Sequence, residues 1–159
     1  MTGKADFTDQ EWKEILQGPP TAGAIVVTAQ RGGTFRESIS MAKAYAEARQ
    51  EHGESELLDE IASTKPEIYR ARYHSVEELR ENGLQHLRET VQLLESKATP
   101  DEVEQYKRFV LTLAQRVAEA HKEGFLGLSG ERVSEAERGA IDELTDALGT
   151  TPPAESTSA

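Results

Sequence analysis

The sequence predicts an all-α protein, a single bundle of about seven helices, and three observations carry that expectation. Ser or Thr followed three residues later by Glu satisfies two unpaired backbone donors reciprocally at a helix start, and five such pairs each head an apolar-periodic segment. Behind those starts the apolar residues recur at steps of three and four, the helical spacing. One stretch alone, residues 23–28, competes as a strand, and a strand without partners does not make a sheet.

The elements follow in order. Thr8 and Glu11 form the first capping pair, with Phe7 and Trp12 at the spacing of a hydrophobic staple. Pro19 and Pro20 after Gly18 are expected to end that helix and open another. The segment from Ala22 to Ala29 is apolar on nearly every side, which suits a buried helix. With Gly32, Gly33 and Thr34 behind it, the same stretch also reads as a strand, a glycine loop and a helix start that would cradle a phosphate, but no Lys follows the glycines. Thr34 and Glu37 open a helix to about Gln50 that is rich in small residues (Ala42, Ala44, Ala46, Ala48), placing it near the middle of the bundle. A shorter helix spans about Gly53 to Ala62, with Leu57, Leu58 and Ile61 on its apolar edge. Ser63 to His74 is a connection in which Pro66 starts a single turn.

Ser75 and Glu78 open a helix to about Ser96 that places Val76, Leu79, Leu84, Leu87, Val91 and Leu94 inward. Thr99 and Glu102 open the next, with Pro100 at the first helical position, where its missing N–H is harmless. Its stripe is Val103, Tyr106, Val110, Leu113, Val117 and Ala120; Glu102, Glu104, Lys107, Arg108 and Arg116 fall off it. Ser134 and Glu137 open the last helix, which buries Ala140, Ile141, Leu144 and Leu148 and stops at Gly149. Residues 150–159 carry two prolines and no large apolar side chain, so they are expected to be disordered. Residues 7–149 are then one helical domain.

Composition narrows the function. The chain has 159 residues, 18 Lys or Arg against 29 Asp or Glu, and a net charge of −11, which argues against a nucleic-acid partner. With no cysteine there is no thiol nucleophile, disulfide or iron–sulfur site. No apolar run approaches the ~20 residues of a membrane span, and nothing resembles an export signal, so a cytoplasmic location is expected.

Reaction motifs are also missing. The positions three before His52, His74, His86 and His121 are Arg49, Ala71, Gly83 and Ala118, so no Glu-x-x-His di-iron pair exists. The histidines are too scattered for a zinc pair, and Leu128-Ser129-Gly130 lacks the glycine in register for a nucleophile elbow. The sequence therefore predicts a non-enzymatic protein. Two loops stand out. Tyr69 to His74 is a basic and aromatic cluster, read either as a solvated turn or as a docking patch. Lys122 to Gly130 sets three glycines around Phe125, Leu126 and Leu128, a tip either tucked inward or offered to a partner.

Two stretches share one plan: an apolar helix, a glycine loop, a capping pair and a second helix. One begins at Thr21 and runs through Thr34 and Glu37; the other begins at Leu111 and runs through Ser134 and Glu137. The second resembles the TerB-like tellurite-resistance domain over roughly Thr99 to Gly149, in Ala118-Glu119-Ala120, the glycine turn, and Val133-Ser134-Glu135-Ala136-Glu137 leading to Ile141 and Leu148. The N-terminal stretch resembles that family's first copy more loosely. The resemblance implies two pseudo-repeated helical hairpins and a stress-associated protein acting through a protein partner or an ion. It also implies a divalent cation at the second turn, where Glu137 matches and Glu131 and Glu135 stand beside it as oxygen donors. Glu37 matches in the first copy, but Gly32 and Gly33 stand where the family carries an acidic turn, so only capping is expected there. The alternative is a helical scaffold without ligand whose acidic surface meets a basic partner. Deleting residues 150–159 is expected to leave the melting temperature unchanged within error, as measured by circular dichroism.

Overall fold

The structure, a computed structural model, describes residues 3–29, 46, 56–64, 75–123 and 135–149. Among these residues a 3₁₀ turn, Lys4–Asp6, precedes five α-helices: α1 (Asp9–Ala29), α2 (Glu56–Ser63), α3 (Val76–Lys97), α4 (Pro100–Glu123) and α5 (Glu135–Leu148). No strand occurs among the described residues, so the phosphate-cradling alternative loses its first element. None of these helices is long and apolar enough to cross a membrane.

The largest departure from the expected elements is α1. Pro19 and Pro20 lie inside it, so the two helices expected there are one. Five α-helices are seen among the described residues where about seven were expected for the chain, and the helix expected over residues 34–50 lies outside the described residues apart from helical Ala46. The first expected hairpin begins at Thr21 in the middle of α1, and the second at Leu111 in the middle of α4. A proline inside a helix costs roughly 3 kcal/mol, because it removes an N–H and crowds the carbonyl four residues back. For Pro19 that carbonyl belongs to Ile15, and the buried Tyr106 hydroxyl of α4 donates to it at 2.8 Å. One residue earlier, the His86 Nε2 of α3 lies 2.9 Å from the Glu14 carbonyl. Side chains from two neighbouring helices thus supply hydrogen bonds at the turn where the prolines interrupt the ladder.

That turn is also where the helices come closest. A Cβ on Gly18 would overlap the Tyr106 hydroxyl, so only glycine leaves room for the bond to Ile15. At Gly83 of α3 a Cβ would sit 2.9 Å from both Ile25 Cδ1 and Thr21 Cγ2 of α1. Every residue from Gly18 to Val26 is buried, and α1 packs against α3, α4 and α5. Among the described helices it is the central one; the middle position expected for residues 34–50 lies outside the described residues. One apolar cluster runs from Phe7 and Trp12 through Ile15, Leu57, Ile61, Leu87, Leu94, Val110 and Leu144 to Leu148. Each fully buried large side chain contributes about 1.5–3 kcal/mol relative to exposure.

The helix starts behave as their sequences dictate. Glu11 N donates to Thr8 Oγ1 at 3.1 Å while Thr8 N donates to Glu11 Oε2 at 3.2 Å. The Thr99 and Glu102 pair is equally reciprocal, at 3.0 and 3.2 Å, and Glu78 N donates to Ser75 Oγ at 3.0 Å. Phe7 and Trp12 close the staple with ring centroids 6.1 Å apart. At the far end Gly149 takes φ +70 and donates to the Thr145 and Asp146 carbonyls. Two α4 residues placed off its inner stripe are nonetheless buried. Glu102 is held by its capping bond, and Lys107 lies with its stem covered and its ammonium 3.1 Å from Glu104.

Lys97, in the last turn of α3, fastens α3 to the start of α1. Its ammonium is 2.6 Å from Glu11 and lies 5.6 Å from the centre of the Phe7 ring. The Lys97 hydrogen bond, aided by the Thr8 N–H, holds the Glu11 carboxyl below its ordinary range. Its contribution to stability is therefore present above the unfolded value of 4.5 and is lost as pH falls through the lower folded value.

Gly18→Ala is expected to destabilise the protein by about 1–3 kcal/mol through overpacking. In a Tyr106→Phe background, where the overlapping hydroxyl is gone, most of that cost should vanish in urea unfolding. An undiminished cost would mean the strain lies elsewhere.

Candidate functional site

The donors expected to hold a cation sit at the start of α5. Glu135 and Glu137 are the first and third residues of that helix, and Glu131 lies outside the described residues, as do the side chains of Glu135 and Glu137. Among the described residues no three His, Asp or Glu side chains converge in a way that could hold a metal ion. Glu37, the Tyr69–His74 cluster and the Phe125–Leu128 tip likewise fall outside the described residues. Of the four histidines, His86 is the one with a described side chain, and it is buried at the α1 break.

The sequence reading missed a surface groove between α3 and α5. Glu77, Arg80, Glu81, Leu84 and Arg88 line it from α3, and Glu143 and Asp146 from α5, around an open volume of about 400 Å³. The α3 residues recur at three, four and seven positions, so they form one stripe, and Glu143 and Asp146 are a helical turn apart. That charged stripe was the available signal. Taken alone it does not announce a groove, because a charged helix face is ordinarily just solvated.

Two helices meet here through a planar fork. Arg80 Nε donates to Glu143 Oε2 at 2.7 Å, and Arg80 Nη2 donates to Glu143 Oε1. The Glu143 hydrogen bonds raise the already high pKa of Arg80, so the guanidinium stays charged at any working pH. Leu84, 9% exposed, is the apolar floor. With four carboxylates against two guanidiniums, the lining carries an acidic excess. Such a surface attracts cationic, partly apolar groups and has no nucleophile paired with a base.

No family model, curated protein or solved structure matches the chain. The fold and groove define a helical bundle with an acidic face.

Glu143→Gln removes one arm of the bridge between α3 and α5. Because Arg80 is well exposed, the loss should be under about 1 kcal/mol and should shrink with added salt. A larger, salt-independent loss in thermal unfolding would mean the fork is a structural anchor.

Proposed function

We propose that the chain is a non-enzymatic helical binding module of TerB-like kind, associated with tolerance of chemical stress, which acts by holding a basic protein segment on its acidic face. The groove between α3 and α5 carries this reading: Glu77, Glu81, Glu143 and Asp146 surround a small apolar floor at Leu84. A helix bearing Lys or Arg at successive turns and one aliphatic anchor has the complementary chemistry. The chain's charge of −11 would steer such a partner from a distance at low salt. The stress association rests on the sequence resemblance over residues 99–149.

A second reading, a divalent cation at Glu131, Glu135 and Glu137, has one supporting observation. Glu135 and Glu137 both fall in the first turn of α5, where a helix start favours negative charge.

Both readings are open to one set of titrations. A synthetic Lys- and Leu-bearing amphipathic peptide should bind the wild type with an affinity that weakens with salt. The exposed pair Glu77→Lys and Glu81→Lys should weaken that binding about tenfold, or roughly 1.4 kcal/mol. Equal affinity for wild type and double variant would contradict the groove reading. For the cation, millimolar Ca²⁺ or Mg²⁺ should move the backbone amide signals of residues 131–137, and their standing still would remove the ion.

A further inference from the structure

The buried pair at the α1 break has chemistry beyond packing. The His86 ring is 3% exposed and sits against Glu14 at both nitrogens: Nε2 is 2.9 Å from the Glu14 carbonyl and Nδ1 is 2.6 Å from Glu14 Oε2. A carbonyl only accepts, so Nε2 carries a hydrogen. At 2.6 Å, a bare Nδ1 lone pair facing an ionised carboxylate would be repelled. A proton must therefore lie between them, on the imidazole or on the carboxyl, and either placement leaves the pair with the same number of protons.

We propose that the Glu14–His86 pair is a proton-holding clamp that makes the packing of α1 on α3 sensitive to alkaline pH. The clamp is independent of the surface groove and of any partner. Its setting is the turn where Pro19 and Pro20 weaken α1, so the helix leans on its neighbours there. Glu14 of α1 is the carboxylate in ion-pair reach of the ring. From α4 the titratable group at the break is the Tyr106 hydroxyl, which donates to Ile15. On α3 itself Arg88 and Glu89 are exposed, and Glu143 of α5 is engaged by Arg80.

The sign follows from where the proton is kept. An unfolded histidine gives up its proton near pH ~6.5. In the fold, burial favours the neutral ring, but the carboxylate 2.6 Å from Nδ1 outweighs it and keeps the proton to higher pH. The clamp's contribution is therefore complete below about pH 6.5 and is lost as pH rises, by up to about tenfold in the unfolding constant per pH unit, until the folded pair itself lets the proton go. Nothing covalent changes: one proton leaves to solvent, and the contact between Nδ1 and Oε2 turns from attractive to repulsive.

Nitrogen-15 spectra of histidine-labelled protein test this directly, together with urea unfolding between pH 6 and pH 9. The His86 signals should titrate well above the ordinary ~6.5. The wild-type unfolding constant should rise with pH several-fold more steeply per unit than that of Glu14→Gln, a variant of a partly exposed residue chosen because it should fold. His86→Gln should flatten the pH dependence in the same way. A His86 midpoint near 6.5, or identical pH slopes in wild type and Glu14→Gln, would overturn the proposal.

Discussion

A single hydrogen bond, from the Tyr106 hydroxyl to the Ile15 carbonyl, makes the central helix possible. Pro19 cannot supply the N–H that Ile15 would otherwise receive, and that carbonyl lies in the interior, where an unpaired acceptor costs about 1–3 kcal/mol. The bond forms only if α4 approaches α1 closely, and the approach requires Gly18 to lack a side chain. From this contact follow the course of α1 through the core and the seat of His86 beside Glu14. The continuous burial from Gly18 to Val26 depends on it as well.

The same contact separates two kinds of surface on one helix. Inside, α1 is enclosed by α3, α4 and α5, and His86 and Tyr106 reach its Glu14 and Ile15 carbonyls. Outside, the neighbours turn their charged stripes to solvent, and α3 and α5 meet through Arg80 and Glu143 over the acidic groove. Buried polarity serves continuity of the fold; exposed polarity is what a partner would encounter.

Much of the local structure was legible in the sequence. The reciprocal capping pairs at Thr8 and Thr99 form as written, and Ser75 accepts from Glu78 N, because those bonds depend on residues three apart and on nothing distant. The α4 stripe through Val103, Tyr106, Val110 and Leu113 is buried as its spacing requires. The prolines were misread for a reason of the same kind. Local rules end a helix at Pro19, and the compensation comes from Tyr106, 91 positions away in the bond it makes to Ile15. The groove was illegible because it exists only when α3 and α5 lie side by side, and each stripe alone is an ordinary solvated face. Tyr106 was read as one more apolar position, since spacing says nothing about where its hydroxyl points.

A double-mutant cycle joining Pro19→Ala with Tyr106→Phe tests the central account most directly. With Pro19 present, removing the hydroxyl strands the Ile15 carbonyl; in the Pro19→Ala variant, the restored N–H takes its place. The account predicts that Tyr106→Phe costs about 1 kcal/mol less in the Pro19→Ala background than in the wild type, measured by urea unfolding. Strictly additive effects would contradict it, because the hydroxyl would then not be replacing the hydrogen bond that Pro19 cannot make.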